Sequence, residues 1–598
     1  MIRDSQVAPW FRPATFLIWA VCAAILLWLS RAQIADLGFR DPDDALRLVQ
    51  VRDWMAGQSW FDVTQYRINP PGGGPMHWSR LVDVPIATLL WLATPLLGHA
   101  WAERVVLAVY PLLVLGLTFL LVGGLVRRLA GPVVALIALV LLAMTFPLLI
   151  QFNPMRIDHH GWQIAMAALA LYGSQVPSAR KSGIVSGIAV ALWLNISSEA
   201  LPYAALFGAL YGLKYLIAAE QWERLAAYLL TLSLVSTGLM FGTHGWAESL
   251  LPYCDAMSPP YVVPLWTAAL LFLGLKAVLR GGGMTGRFFI AGLAGAAALV
   301  PLFLMGRQCL AGPFETLDPF VYRNWYLKIS EGLPLWRQSP ETVMFSLTGP
   351  VLGLIGYVLA IRGAREKDQA RPWLELLILA LGAVALSVLV LRAMAVSNLY
   401  MLPGNAWLFY AALVKARAIG RAAPRIVATV AAFALVPAMP TALLAHIIVN
   451  KDEQEKQEKQ EKPNSAMDQA EAKCVGAGGL RGLGALPAST LFAPLDIGPM
   501  LLVYTHHRVI ATNHHRNQHA MAKVLKAFMS NAPQARSIVL GTGADYLVYC
   551  HDRPEIRNYV KDNKSGLAAL LEAGKPPVWL VPLPMRKGET IRVYRVVR

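Results

Sequence analysis

Apolar runs long enough to cross a lipid bilayer recur from Ala14 to Val449, and they leave little of this region for any other structure. Each run has about 17–23 residues, the length that an α-helix needs at a rise of about 1.5 Å per residue. Of the 598 residues, 56% are hydrophobic and only 15% are charged, which excludes a soluble protein of this size. The sequence therefore predicts an all-α polytopic membrane domain.

The net charge of +17 is carried mainly by short connectors between these runs. Basic residues in short loops mark the cytoplasmic side of a membrane protein. This distribution argues against a nucleic-acid partner and in favour of the lipid bilayer as the partner of the apolar helices. The basic connectors are residues 127–128, 180–181, 280–287, 362–371 and 415–425.

One apolar run, residues 82–98, cannot be a span if all basic connectors are to face the cytoplasm. We predict that it lies along the membrane interface. The other runs give about thirteen transmembrane helices in a bacterial inner membrane, with a cytoplasmic N-terminus and a periplasmic C-terminus. The predicted spans are 14–30, 104–126, 130–150, 161–175, 183–199, 201–217, 226–242, 261–279, 288–305, 343–361, 373–391, 397–414 and 425–447.

This topology divides the chain into three parts. Residues 1–449 form the transmembrane domain, with external loops 31–103 and 306–342. Residues 450–473 form a charged linker, whose alternating Glu and Lys residues suit an exposed helix or a disordered tether. Residues 474–598 form a soluble α/β domain with short β-rich runs. Those runs are residues 537–540, 546–549, 578–581 and 591–597.

The chain has five cysteines, and all except Cys22 map to the outside of the membrane in this topology. Disulfides form in oxidising compartments. The pairs Cys254–Cys309 and Cys474–Cys550 are therefore plausible disulfides, although sequence alone does not determine their connectivity. The sequence contains no C-x-x-C pair, which argues against a structural zinc site of that type.

Three carboxylates stand within four residues shortly after the first apolar run, in the motif Asp41-Pro-Asp-Asp44. An aspartate at a helix start can accept hydrogen bonds from the free backbone N–H groups, so one of the three needs no other function. Acids at the edge of a bilayer are costly to desolvate and usually have a partner, a metal ion or a task. We predict a catalytic or metal-binding role for at least one of Asp41, Asp43 and Asp44.

A second acidic motif, Arg156-Ile-Asp-His-His160, follows a later span on the same predicted side. It suits either an interfacial anchor, with His160 and Trp162 at headgroup depth, or a metal site with Asp158 and His160 as ligands. Glu331 lies in the external loop 306–342 and belongs either to an ordinary turn or to the same site. The two acidic motifs together predict one divided active site facing away from the cytoplasm.

The order of these features resembles the catalytic subunit of oligosaccharyltransferases, within the GT-C fold superfamily of polyprenyl-phosphate-sugar-dependent membrane glycosyltransferases. That family has an acidic motif in its first external loop, an interfacial helix after it, and a second acidic motif after the third span. Its fifth external loop carries a short motif with Glu, to which Ile329-Ser-Glu-Gly332 is similar. The resemblance covers essentially the whole chain and implies an external C-terminal domain.

The resemblance implies which acid is catalytic. Spacing back from Arg52-Asp53 and Gly57 favours Asp43, with Asp44 beside it. The Asp-Pro pair of eukaryotic members of the family favours Asp41 instead. We predict Asp43 as the catalytic aspartate.

The resemblance also implies a divalent cofactor and a contact to the donor. Mg²⁺ or Mn²⁺ is expected to bind to Asp43, Asp158, His160 and Glu331. Arg392, just after a predicted span, resembles the family's arginine that contacts the donor phosphate. An ordinary interfacial arginine that extends its side chain to the membrane surface is the alternative interpretation.

One family motif is missing. The acceptor-reading Trp-Trp-Asp-Tyr-Gly is absent, and only Asp496-x-Gly498 matches it. The His-, Arg- and Asn-rich run 505–519 suits a polar acceptor-facing or structural surface better than a zinc site, because it contains no thiolate. We therefore predict a glycan or a non-sequon protein site as acceptor, rather than Asn-x-Ser/Thr. The predicted acceptor-side residues are Asp496, His514, His515 and Arg516.

These features predict an inverting membrane glycosyltransferase that moves a sugar or an oligosaccharide from a polyprenyl-(pyro)phosphate donor to an acceptor on the outer face. The alternatives are an N-linked protein oligosaccharyltransferase and a transporter or flippase for a lipid-linked sugar. Transporters place ionisable residues near the bilayer midplane and often contain inverted repeats. The acids of this chain stand at the predicted outer ends of helices, which favours the enzyme.

Overall fold

The computed structural model describes residues 8–279, 283–310, 312–314, 316–441, 443, 474, 476–480, 482–551, 553–584 and 591–598. The predicted linker 450–473 and the end of the last predicted span lie outside the described residues. A bundle of long apolar helices comes first, and a small mixed sheet with its own helices follows. The predicted fold class, an all-α polytopic membrane domain plus a small α/β domain, is confirmed.

The membrane domain consists of long helices joined by short connectors. These helices are α1 (Phe11–Leu29), α2 (Arg31–Ala35), α3 (Pro42–Met55), α4 (Arg80–Leu97), α5 (His99–Ala130), α6 (Pro132–Met144), α7 (Phe146–Leu149), α8 (His160–Ser174), α9 (Ala179–Ile196), α10 (Leu201–Ile217), α11 (Trp222–Ser249), α12 (Pro259–Leu279), α13 (Met284–Met305), α14 (Pro319–Asn324), α15 (Pro340–Gly363), α16 (Lys367–Leu389), α17 (Met394–Arg417) and α18 (Ala422–Ala432).

Within the described residues, each predicted span overlaps a helix, although the last one, 425–447, overlaps only the short α18 and ends outside the described residues. Nine of the described helices have the length and hydropathy of a membrane span, and a tenth follows if α6 and residues 146–152, bent by 71°, count as one. The predicted spans that fail this test lie on α8, α9, α17 and α18, which are shorter or more polar. The nine include α4, the helix that we predict not to cross.

Both ends of α4 contact the loop that carries the first acidic motif. At its start, Arg80 donates a hydrogen bond to the carbonyl oxygen of Gln50 in α3 at 3.3 Å. At its end, the chain turns at Gly98 (φ 71°) into α5, where Glu103 accepts two hydrogen bonds from Arg52 of α3. A helix of this length spans about 27 Å, so it could not cross the membrane and keep both ends beside one short helix. This geometry supports an interfacial position for α4.

A cysteine at Leu97 tests this position. Leu97 is exposed, Cys22 is buried and the other four cysteines are in disulfides, so a Leu97→Cys variant has one reactive thiol. We expect a membrane-impermeant maleimide to label it only from the side that carries the C-terminal domain. Ser178→Cys, in the connector before α9, is the matched control and should be labelled only from the cytoplasm. Labelling of both variants from the cytoplasm would contradict the interfacial position.

The C-terminal domain is built on a five-stranded sheet of order β2-β1-β3-β5-β4. Strand β1 (Thr490–Phe492) is parallel to β2 (Arg508–Val509) and to β3 (Tyr546–Cys550), whereas β5 (Ile591–Val596) is antiparallel to β3 and to β4 (Leu580–Pro582). The helices of this domain are α19 (Ala477–Leu480), α20 (Gly498–Tyr504), α21 (Gln518–Met529), α22 (Ala532–Gly541), α23 (Pro554–Asp562) and α24 (Leu567–Glu572).

One predicted strand is wrong. Residues 537–540 were expected to be extended because of their β-branched composition, but they lie in α22. The side chain of Asn531 accepts a hydrogen bond from the N–H of Gln534 and caps this helix. Ala535 and Val539, four residues apart, are its buried side chains, so helical spacing outweighs local β-propensity.

The first external loop, residues 31–103, joins the edge of this sheet. The N–H of Asn69 donates to the carbonyl oxygen of Val509 in β2 at 2.8 Å, and the N–H of Val509 donates to the carbonyl oxygen of Arg67 at 2.9 Å. The Arg67 guanidinium donates to the carbonyl oxygens of Leu502, in the last turn of α20, and of His507, which follows this helix. The loop therefore supplies both an extra strand contact and a cap, and it holds the C-terminal domain against the membrane domain.

Both predicted disulfides are present. Cys254 is bonded to Cys309, and Cys474 is bonded to Cys550 at the end of β3. The first bridge ties the connector after α11 to the segment after α13, and the second closes the C-terminal domain. Cys22 in α1 is a buried free thiol, as expected for a residue within a span.

Candidate active site

The two acidic motifs meet around the guanidinium of Arg156. This side chain forms ion pairs with Asp41, with Asp44 at 3.2 Å and with Asp158 at 2.9 Å. Asp44 also accepts hydrogen bonds from the backbone N–H groups of Ile157 (2.7 Å) and Asp158 (2.9 Å). A single cation and two amide donors therefore hold the segment before α8 against the start of α3.

The three aspartates of the first motif have different tasks. Asp41 caps α3, because its side chain accepts a hydrogen bond from the N–H of Asp43 at 2.9 Å. Asp44 is buried, and its carboxylate accepts a hydrogen bond from the backbone N–H of Ile157 in the second motif. Asp43 accepts its side-chain hydrogen bond from Asn513 of the C-terminal domain at 3.1 Å. By elimination, Asp43 is the acid that faces the space between the two domains.

The pKa values of Asp43 and Asp158 are shifted in opposite directions. Burial, together with repulsion from Asp41, Asp158 and Glu331, raises the pKa of Asp43 to about 7. Burial would also raise the pKa of Asp158, but Arg156 and His160 outweigh it and hold that pKa well below its usual range. Asp158 therefore stays ionised, whereas Asp43 lies in a negative electrostatic environment that favours binding of a proton or a cation there.

The predicted metal ligands are only partly assembled. Nδ1 of His160 donates a hydrogen bond to the Asp158 carboxylate at 2.7 Å, and the buried Nε2 of His160 has no partner among the described residues. Glu331 is bound to Arg392 at 2.7 Å. Oxygen and imidazole donors at Asp43, Asp158 and His160 fit a divalent ion. In the described part of the chain, however, these groups do not come within 4.8 Å of one another as a set of three.

Arg392 stands at the head of an apolar cavity. Its guanidinium is paired with Glu199 at 2.8 Å and with Glu331, while its buried Nε has no partner in the described part. The cavity has a volume of about 300 Å³, and hydrophobic residues at the end of α16 line it. It shares Leu201 and Tyr261 with a second apolar cavity of about 520 Å³ between α10 and α13. The positively charged Arg392 side chain therefore lies where a long apolar groove, made up of these two cavities, opens.

The predicted acceptor-side residues lie in two loops at the carboxyl ends of parallel strands, which meet at one edge of a sheet. Asp496 follows β1, and its backbone N–H donates to Glu555 at 3.0 Å. His515 and Arg516 follow β2 and both bind Asp255, in the connector after α11, at 2.7 Å. In this structure these two side chains thus hold the domains together.

Several residues of the site carried no sequence-based assignment. Arg156 was recognised as part of its motif but not as the link between motifs. Asn513 and Asp255 are assigned to the site only because they form hydrogen bonds between segments that are far apart in the sequence. Glu199 had a usable signal, because it is an acid at the predicted outer end of a span, as Asp158 is.

Solved structures match this chain over nearly its whole length, whereas no protein-family model and no curated protein matches it. The oligosaccharyltransferase AglB of Archaeoglobus fulgidus, in complex with an inhibitory peptide and a dolichol-phosphate, has a TM-score of 0.63 at 15% identity and covers 93% of this chain and 72% of its own. The chain has the fold of the archaeal oligosaccharyltransferase.

Two further structures of the A. fulgidus oligosaccharyltransferase agree. The form tethered to an acceptor peptide with the NVT sequon has a TM-score of 0.61 at 15% identity, over 100% of this chain and 75% of that chain. The complex with Zn and sulfate has a TM-score of 0.56 at 15% identity, over 97% and 73%. The GT-C fold expected from the sequence resemblance is thereby confirmed.

In this oligosaccharyltransferase fold, loss of the Arg156 guanidinium should destabilise the protein. Arg156→Met leaves three neighbouring carboxylates without their cation, and breaking such a buried pair typically costs about 3–5 kcal/mol. We expect a clearly lower melting temperature of the purified protein in detergent. Arg31→Met, which removes an exposed arginine, is the control and should melt like the wild type. Equal melting of both variants would mean that Arg156 does not hold the motifs together.

Proposed function

We propose that the protein is an inverting membrane glycosyltransferase, which transfers a sugar or an oligosaccharide from a polyprenyl-(pyro)phosphate donor to an acceptor on the outer face of a bacterial inner membrane. The observation that carries this proposal is that Asp43 lies within electrostatic range of both Asp158 and Arg392, while Arg392 lines an apolar cavity. The fold supports the proposal, because it is that of a membrane glycosyltransferase. The two disulfides support an oxidising compartment, such as the periplasm, for the C-terminal domain.

The donor is proposed to lie with its phosphate at Arg392 and its chain in the groove. A guanidinium suits phosphate because it offers several parallel N–H donors. The groove that continues from Leu201 between α10 and α13 is lined by apolar side chains, which suits an isoprenoid chain. Dolichol-phosphate is present in the AglB structure named above. Glu199 and Glu331 balance the charge of Arg392 in the absence of phosphate.

Asp43 is proposed to act on the acceptor. Its raised pKa lets it take a proton from the nucleophile near neutral pH. Asn513 holds one carboxylate oxygen, which fixes the orientation of the group. Mg²⁺ or Mn²⁺, held by Asp43 and Asp158 with His160 or Glu331, would supply positive charge to the leaving phosphate. Attack on the anomeric carbon from the face opposite the phosphate inverts its configuration.

An Asp43→Asn variant should lose transfer without losing its fold. The amide keeps the size of the side chain and can still bond with Asn513, but it cannot accept a proton. General-base catalysis contributes roughly 100- to 10,000-fold, so we expect transfer to fall by at least roughly 100-fold. The measurement is transfer of labelled sugar from a purified lipid-linked donor. Asp36→Asn, at an exposed acid of the same loop, should retain activity. Full activity of Asp43→Asn would refute the assignment.

The acceptor is proposed to be a glycan or a non-sequon protein site. The tryptophan pair that reads a sequon hydroxyl in the resembling family is absent here, and Asp496 is bordered by Pro494, Leu495 and Ile497. Half-buried Glu555 accepts hydrogen bonds from the N–H groups of Leu495 and Asp496. N-linked transfer to protein is the second candidate, because the A. fulgidus enzyme of the same fold was solved with an NVT peptide.

A sequon peptide distinguishes these acceptors. We expect no glycopeptide when the purified enzyme is incubated with its lipid-linked donor and a peptide containing Asn-x-Ser/Thr, since no indole pair is available for the hydroxyl residue. The same preparation should consume donor when a periplasmic glycan fraction is supplied, which serves as the positive control. Efficient glycosylation of the Asn would establish N-linked transfer instead.

A further inference from the structure

Three histidines from two distant segments converge between the domains. His77 belongs to the first external loop, and His514 and His515 follow β2. Their ring centroids are 4.9 Å (His77–His514), 4.8 Å (His77–His515) and 5.0 Å (His514–His515) apart. Nδ1 of His77 lies 2.9 Å from Nε2 of His514, and one nitrogen from each ring lies within 4.8 Å of the others. The rings form a nearly equilateral triangle.

This triangle has the dimensions of a tetrahedral metal site. A zinc ion about 2.0–2.1 Å from three imidazole nitrogens, with tetrahedral angles, places those nitrogens about 3.3 Å apart and the ring centroids about 5 Å apart. The observed centroid distances agree with this, and small ring rotations would equalise the nitrogen distances. His514 is only 5% exposed, and His77 and His515 are half-buried.

The surroundings orient one of the rings. Nε2 of His515 is hydrogen-bonded to the Asp255 carboxylate at 2.7 Å, so Nδ1 of His515 is the nitrogen that can bind an ion. Metal-binding histidines usually bond their second nitrogen to a carboxylate in this way. Asp255 is itself fixed, because Arg516 donates to both of its oxygens at 2.8 and 2.7 Å. Cys254, beside it, is in a disulfide with Cys309.

We propose that His77, His514 and His515 bind a zinc ion that joins the first external loop to the C-terminal domain. Three imidazoles suit zinc, whereas Mg²⁺ and Mn²⁺ prefer oxygen ligands. Zinc with three protein ligands keeps a fourth position for water. This site is separate from the carboxylates of Asp43 and Asp158. Asn513, which donates a hydrogen bond to Asp43, directly precedes His514. An ion bound to His514 therefore also fixes Asn513, the residue that orients the proposed catalytic acid Asp43.

The test measures zinc in the purified full-length protein. After incubation with ZnCl₂ and removal of free metal, we expect about one zinc per chain by mass spectrometry in the wild type. His77→Ala and His514→Ala should retain essentially none. His506→Ala, at an exposed histidine of the same run, and Asp43→Asn should retain the full amount. Asp255→Asn should weaken zinc binding by roughly 10- to 100-fold.

A second measurement guards against variants that fail to fold. Co²⁺ in place of zinc should give the intense visible absorption of a tetrahedral site in the wild type and in Asp43→Asn, but not in His77→Ala. Equal zinc content in the wild type and His514→Ala would refute the site. Loss of zinc in Asp43→Asn would assign the ion to the acidic motifs instead. The metal content is measured without any enzymatic reaction. These results are therefore independent of whether the protein transfers sugar.

Discussion

The ion pairs of Arg156 are the interaction on which the active site depends. One guanidinium neutralises Asp41, Asp44 and Asp158, which come from segments more than a hundred residues apart. Without that charge, three carboxylates near a membrane surface would repel one another and separate. Their pairing directs the start of α3 and the start of α8 toward the same space. Asp43 is then left beside the other acids, and its burial together with their repulsion raises its pKa.

The membrane domain provides only part of the site. Asn513 brings the C-terminal domain to Asp43, and the same short segment binds His77 and Asp255 through His514, His515 and Arg516. The sheet edge adds backbone hydrogen bonds between Asn69 and Val509. Because adjacent residues of one loop contact several different segments, the position of the C-terminal domain is defined closely beside Asp43, where the proposed acceptor would approach. The polar side chains of residues 505–519 therefore serve domain docking as well as the chemistry proposed for this region.

Much of the fold was predictable from residue patterns. Apolar length determines a span because every backbone group must be satisfied within the bilayer, and the basic connectors determine its direction. These rules placed the predicted spans on helices, as far as the described residues extend, and identified residues 82–98 as exceptional. Local β-propensity failed for residues 537–540, which lie in a helix whose buried side chains have helical spacing. Local propensity is weak, and packing overrides it.

The sequence by itself determined the membrane character of the chain, the positions of most of its long helices and the two acidic motifs, and it made both disulfide pairs plausible without fixing their connectivity. It could not assign different tasks to Asp41, Asp43 and Asp44, because three adjacent carboxyls are chemically alike. Only the tertiary structure separated them, since a cap, an ion pair and an interdomain hydrogen bond come from different segments. The same holds for His77 and His514, whose meeting is invisible in the linear order. Contacts between distant segments depend on how helices and loops pack, and side-chain spacing along one segment carries no information about them.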